Sequence, residues 1–454
     1  MAKAKKKENL TPEERLQAAL VPESEQPYKV PENWCWVQLG SLLSEIKNGT
    51  TIKQNKSGIG PKVTRIESLQ KQTIDFDRLG TIANEQEIKD TDWYMAEDIA
   101  LSHINSAEHV GKTALINADM LPLVHGMNLL RLRFHSECCM PLFFQYFSQS
   151  FQYKDEILSR INMAVNQVSI NQKQLSSLEI PLPPLPEQQR IVDRIESLFA
   201  KLDEAKQKAQ DTLDSFETRK AAILHKAFTG ALTAQWRKEH GVGMESWEKT
   251  TMGEIASFHQ GVQVAVDEQF GDYEENRVRF IRIVDYTQGT EKERYVSCDK
   301  IRNESYVKGD EIVMVRYGAT AGFVGDGIEG LIANNMFVVD VRDNIREYIK
   351  VFLKSSAVYN KLNTSGGSTA MPALNFKTVS AIEVPLPSEK EQTEIVRILD
   401  DLLAQEQQAK EAAEAVLEQI DLIKKSILAR AFRGELGTND PAEESAVELL
   451  KQVL

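Results

Sequence analysis

The chain has 454 residues, a formal net charge of −13, 42% hydrophobic residues and four cysteines. That leaves room for about three domains of ordinary globular composition. No apolar run approaches the ~18 residues of a membrane span, and no apolar stretch follows the basic start at Lys3 to Lys7, so neither a membrane anchor nor a signal peptide is expected.

Cys35, Cys138, Cys139 and Cys298 form no CxxC pair and stand near no histidine at zinc spacing. A reducing cytoplasm is expected, with the cysteines acting as small hydrophobes. The acidic total excludes a simple nucleic-acid coat, so any grip on a polyanion must be local.

Taken in order, residues 1–30 read as a leader. Thr11 is an N-cap and Pro12 a first helical residue, for a short helix ending near Leu20. Residues 31–183 read as a mixed domain with strands at Ile99 to Ile104 and Leu129 to Phe134, and a helix over Pro141 to Ser159. Between Lys47 and Lys71 stand six basic residues and one acid, Glu67; an acidic stretch from Asp75 to Asp98 follows. Such runs are most often solvated surface. Residues 184–240 read as a long helix, 245–387 as a second mixed domain, 388–437 as a second long helix, and 438–454 as an acidic tail ending in a helix.

The two helical segments are copies of one another. Ile180 to Leu232 aligns without a gap to Val384 to Leu436, at an offset of 204 residues. Pro181-Leu182-Pro183 matches Pro385-Leu386-Pro387, Glu187-Gln188 matches Glu391-Gln392, and Ala227-Phe228-x-Gly230 matches Ala431-Phe432-x-Gly434. The period is too long for a solenoid unit of about 20–50 residues. It implies a duplicated two-part module with pseudo-twofold symmetry.

Each copy carries apolar residues at alternating spacings of four and three. The first includes Ile191, Ile195, Leu198, Leu202, Phe216 and Ile223; the second includes Ile395, Leu399, Leu402, Val416, Ile420 and Ile427. That is a heptad seam. Ser388 and Glu391 suggest a capping box, and Gly230 and Gly434 suggest helix C-caps. A helix from Glu187 to Phe228 would be ~63 Å long at 1.5 Å per residue. Two such helices in one chain, separated by a whole domain, most simply pair antiparallel.

The domains share anchors but little else. Asn33-Trp34 answers Ser246-Trp247, Asn48-Gly49 answers Gln260-Gly261, and Asp98-Ile99 answers Asp310-Glu311-Ile312. Catalytic motifs are missing. Val110-Gly111-Lys112-Thr113 lacks the earlier glycine of a phosphate loop, since Ser106 occupies that place. The glycines of Gly322 to Gly327 fit tight turns. No HExxH, GxSxG or Asn-Pro-Pro-aromatic motif occurs, so the chain reads as non-catalytic.

The doubled Pro-Leu-Pro-x-x-x-x-Glu-Gln-x-x-Ile-Val signature, the Ala-Phe-x-Gly-x-Leu about forty residues later and the Glu32-Asn33-Trp34 opening resemble the DNA specificity subunit of type I restriction-modification systems. The likeness covers nearly the whole chain. It implies an α+β fold: two mixed α/β target recognition domains in pseudo-twofold arrangement, separated by a long antiparallel two-helix coiled coil. Each domain would read one half of a bipartite, asymmetric site on double-stranded DNA, with the helices as the ruler between halves. The resemblance further implies two modification subunits that methylate adenine with S-adenosylmethionine. It implies restriction subunits that cleave using ATP and Mg, and no catalytic site, cofactor, metal or membrane contact on this chain. A self-contained DNA methyltransferase and a coiled-coil scaffold without DNA are the competing readings.

Base reading calls for side chains that donate and accept in the groove. In the first domain the candidates are Thr50, Thr51, Lys53, Gln54, Asn55, Lys56, Lys62 and Arg65, with Ser102, His103 and Asn105 on a second loop. In the second domain they are Gln263, Arg316, Tyr317, Thr320, Ser368 and Thr369. Lysines there would bind phosphates; amides and arginines could read bases.

Overall fold

The computed structural model describes residues 11–55, 58–164, 167–289, 292–364 and 373–454. Lys56, Ser368 and Thr369 therefore lie outside the described residues. The chain folds as two compact units, Met1–Lys208 with Val416–Leu454, and Ala209–Ala415. Each unit takes part of both long helices, Leu185–Phe228 and Glu389–Ala431.

The first unit is built on a four-stranded antiparallel sheet. Its order is Thr113–Leu115, Ile99–Ser102, Leu129–Phe134, Leu43–Asn48. The second unit repeats that order with Val324–Gly325, Ile312–Val315, Met336–Val341 and Ala256–Gln260. Around this frame the units diverge. The first adds a small sheet of Gln54–Asn55, Gly80–Ile82 and Lys62–Val63. The second instead adds a four-stranded sheet containing the parallel pair Arg277–Ile281 and Glu329–Ile332.

The repeated Glu-Gln pair explains why the signature occurs twice. A two-stranded ribbon, Cys35–Gln38 with Glu179–Leu182, leads from the first domain into its helix. There the Trp34 indole donates to the fully buried Glu187 carboxylate at 2.7 Å. The second unit builds the same joint: Glu248–Thr251 pairs with Glu383–Leu386, and the Trp247 indole donates to buried Glu391 at 3.0 Å. Beside each, the next glutamine folds back onto the chain. Gln188 donates to the carbonyls of Cys138 and Pro183, and Gln392 to that of Pro387. A buried carboxylate must have its acceptors filled, which is why the motif holds residue for residue.

The remaining donors differ. Glu187 receives Thr438 and Asn439, both neutral. Glu391 receives Thr233 and the buried guanidinium of Arg237, the latter at 2.6 Å. Because Glu391 is spent on these groups, only the serine half of the expected capping box forms, with Ser388 Oγ accepting from the Glu391 amide at 3.4 Å.

The helices run antiparallel, as the contacts within each unit show. In the first, Arg190 meets the Thr438 carbonyl and Asp203 meets Lys424. In the second, Phe216 lies under Lys410 and Arg219 pairs with Glu406 at 2.8 Å. Ile191, Ile195, Phe216, Ile395, Leu399 and Ile420 are buried, and Leu198, Leu202, Ile223, Leu402 and Ile427 are half-buried, as the heptads predict. Val416 is a correction: it is 38% exposed. Beyond Glu406 the seam of the second helix shifts by one residue at alternate positions, so that Lys410, Leu417 and Lys424 are covered and Ala409, Val416 and Ile423 are not. The lysines take those places with their ammonium groups over the Phe216 and Phe199 rings, 5.1 and 4.9 Å from the centroids.

Other expectations are refined. The leader helix spans Pro12–Ala19 with its Thr11 cap, and Arg15 donates to the carbonyl of Leu454, so leader and tail meet within the first unit. The helix expected over Pro141 to Ser159 is two, Pro141–Phe147 and Phe151–Arg160, split where Ser150 caps the second by accepting from the Tyr153 amide. Gly230 and Gly434 take the left-handed conformation just past their helices. Cys298 is exposed, unlike the three buried cysteines.

Candidate nucleic-acid interface

Three strand ends meet at one end of each frame sheet. In the first unit they are Asn48, Ser102 and Leu129: Leu129 pairs with Ser102, and the Gly49 amide donates to the Leu129 carbonyl at 3.2 Å. In the second unit Met336 pairs with Val315, and the Gly261 amide donates to the Met336 carbonyl at 3.0 Å. Both glycines are required by close approach. A Cβ on Gly49 would stand 1.8 Å from the Gly126 carbonyl oxygen, and one on Gly261 would stand 2.2 Å from that of Ala333. The loops bearing most candidate residues leave from this end.

In the first unit Thr50 turns inward; it is buried, with its amide donating to the His125 carbonyl. It holds the loop and presents no side chain to a ligand. Thr51 and Lys53 are exposed. Gln54 and Asn55 lie on the small sheet, which opens into a groove of roughly 670 Å³ bordered by Asn55, Lys62, Arg65, Arg78 and Thr81. Arg65 pairs with Glu67 at 2.8 Å and Arg78 with Asp75 at 2.9 Å, both at the surface. Arg78 was not foreseen, because it stands inside the acidic stretch; only the pairing of Gly80–Ile82 with Gln54–Asn55 and Lys62–Val63 brings it near the basic loop.

That acidic stretch is not simply solvated. Asp92 and Asp98 are buried. Asp98 receives Arg133 through two bonds of 2.8 Å, and Asp92 receives Lys47 at 3.1 Å. Buried Arg131 donates to the carbonyls of Thr91 and Trp93. Part of the basic run is thus consumed in holding residues 91–98 on the sheet. His125 sits within this network. Burial, reinforced by the positive charge of Arg131, lowers its pKa to about 3.

Ser102 is also buried, and its hydroxyl accepts from Asn105 Nδ2 at 3.1 Å. It therefore orients Asn105 and does not face a ligand itself. His103 and Asn105 are half-buried. Burial lowers the His103 pKa, and its Nδ1 has no partner among the described residues. Asn105 belongs to a three-stranded sheet with Gln167–Ser169 and Asn162–Ala164, on which Met163 is 83% exposed.

In the second unit Gln263 is exposed, its Oε1 accepting from Asn334 at 3.4 Å. Arg316 donates through Nε to the Leu374 carbonyl at 3.2 Å, and its guanidinium lies 4.8 Å from the centroid of the Tyr317 ring. Tyr317 is 41% exposed, not core. Thr320 is half-buried in the Gly318 to Gly322 turn, its carbonyl accepting from Phe323. Gly111 of the Val-Gly-Lys-Thr sequence serves the equivalent turn, with φ +79° against +89° at Gly322. Both Gly-rich motifs are strand connections. Among the described residues, no group of three or more His, Cys, Asp or Glu could hold a metal ion, and no helix is long and apolar enough to cross a membrane.

A constant sheet and joint carrying two different loop sets define a duplicated reader module. The profile of the type I restriction modification DNA specificity domain matches residues 31–213 and again 244–419. The chain therefore belongs to the DNA specificity family of type I restriction-modification systems.

Relatives agree over its length. It is 24% identical over 468 aligned positions to the StySPI specificity subunit of Salmonella potsdam, covering 94% of this chain and 96% of that one. It is 26% identical over 335 positions to the EcoKI specificity subunit of Escherichia coli K12, covering 68% and 70%. Among solved structures, the HsdS subunit from Thermoanaerobacter tengcongensis shares the fold with a TM-score of 0.66 at 18% identity, covering 91% of this chain and 100% of that one.

Proposed function

We propose that this specificity subunit recognises a bipartite, asymmetric DNA site, each unit reading one half, and directs adenine methylation and restriction by partner subunits. The observation that carries the reading is the contrast between frame and face. Sheet order, the glycine at the strand end and the Trp–Glu joint recur in both units, while the residues on the loops differ. A protein that reads two unlike half-sites needs that combination, since phosphate contacts position and base contacts specify.

In this reading Thr51, Lys53, Lys62, Arg65 and Arg78 hold phosphates of one half-site, and Gln54, Asn55 and Asn105 approach its bases. Gln263 and the loop from Tyr317 to Thr320 do the same for the other half. Two modification subunits carrying S-adenosylmethionine and restriction subunits using ATP and Mg supply the chemistry in the cytoplasm. The test is to express the chain with its modification subunit and map methylated adenines genome-wide. A split motif with two specific halves is expected; methylation at an unbroken motif, or at none, refutes the reading.

A further inference from the structure

The two units match more finely than sheet order, and the match isolates one position in each. In the first, the Ser102 amide donates to the Lys112 carbonyl at 2.9 Å, the Gly111 amide to Ser102 at 2.7 Å, and the Ile170 amide to His103 at 2.9 Å. In the second, the Val315 amide donates to Phe323, the Gly322 amide to Val315, and the Leu374 amide to Arg316, each at 2.9 Å.

Immediately after Ile170 and Leu374 come Asn171 and Asn375. Each caps a five-residue helix by accepting from an amide three residues on, Gln174 at 2.9 Å and Thr378 at 2.8 Å. His103 and Arg316 are therefore the same place in one frame, fixed by backbone bonds on both sides, and they carry different chemistry.

Arg316 is also held as a reading head should be. Its Nε is spent on the Leu374 carbonyl, and the Tyr317 and Phe376 rings flank the guanidinium at 4.8 and 5.7 Å. Its two terminal nitrogens have no partner among the described residues. Two free donors on a rigid planar group fit the O6 and N7 acceptors of guanine in the major groove. A lysine-like phosphate contact would need no such restraint.

We propose that positions 103 and 316 are a matched pair of specificity-determining residues, each setting one base pair of its half-site, with Arg316 selecting guanine. This rests on the DNA-reading assignment above.

The experiment compares wild type, R316Q and H103R, each co-expressed with the modification subunit, by mapping methylated adenines. R316Q is expected to alter one base pair in one half only, changing the preference there about 5- to 150-fold, the range for one bidentate contact. H103R is expected to alter one base pair in the other half only. In each variant the untouched half reports that the chain is folded and assembled. The proposal is overturned if R316Q or H103R leaves the motif unchanged, or if either lowers methylation at every site alike. A wild type without a split motif refutes the broader reading instead.

Discussion

The two copies of the Glu-Gln motif should respond unequally to the same substitution. Glu391→Gln keeps size and shape but removes the charge facing Arg237, whose side chain is 8% exposed and whose Nη1 is 2.6 Å from the carboxylate. Stranding a buried charge in this way costs about 3–5 kcal/mol. Glu187→Gln strands nothing. Its donors are the Trp34 indole, the Asn439 amide and the Thr438 hydroxyl. The new amide oxygen can keep the first two, and the hydroxyl can turn to accept from the new NH2. The loss is then the difference between charged and neutral hydrogen bonds, about 1–2 kcal/mol.

A chain of two units does not unfold as one two-state system, so a global midpoint would blur the comparison. Amide hydrogen exchange resolves it by segment. E391Q is expected to speed exchange about 150-fold or more in Ala234–His240 and in the ribbon of Glu248–Thr251 with Glu383–Leu386. E187Q should give no more than about 30-fold in the ribbon of Cys35–Gln38 with Glu179–Leu182. Equal effects, or a larger one from E187Q, would refute the claim that Arg237 makes the joints energetically different.

Three further outcomes are expected. His125 has a folded pKa of about 3 against ~6.5 unfolded, so only the unfolded chain takes up the proton between those values. Its stabilising effect is complete above pH ~6.5 and fades as pH falls, by about 1.4 kcal/mol per unit; H125Q, compared with wild type by amide exchange in Ile99–Ser102 and Leu129–Phe134 at each pH from about 7 to 4, should flatten that slope. Gly261→Ala forces its Cβ against the Ala333 and Ile332 carbonyls and should cost about 1–3 kcal/mol, seen as faster exchange at Val262 to Val264, whereas an unchanged protection pattern would contradict the close approach. Val416→Lys should stay within about 0.5 kcal/mol, while Ile420→Lys, at a site 2% exposed, should cost about 3 kcal/mol or more; matching losses of amide-exchange protection around the two sites would restore the unshifted heptad.

The seam shows where pattern reading stops. The pattern placed both helix starts to within a residue, at Leu185 and Glu389, but the segments read to 240 and 437 overrun the observed ends at Phe228 and Ala431. Spacing counts a lysine as polar, however, and so could not register that Lys410 and Lys424 set their ammonium groups over aromatic rings in the seam. The same blindness affected charge. Asp92 and Asp98 read as solvated in a run of acids, and only the sheet shows that Lys47 and Arg133 come from other strands to meet them. Thr50 and Ser102 have the right chemistry for a base contact, yet one-dimensional order says nothing of which way a side chain turns at a strand end.

Duplication, the two-helix plan and the family were fixed by the residues alone, because local periodicity and an ungapped repeat survive without knowledge of distant contacts. Tertiary structure decided what lies between residues far apart in the chain. It joined Arg78 to the basic loop, filled the buried glutamates with different donors, and gave His103 and Arg316, each four residues past the matched Ile99 and Ile312, the same backbone partners. The first and last of these depend on backbone hydrogen bonds across the sheets, which constrain geometry while leaving the side chains free to vary; the second depends on side chains brought in from distant segments.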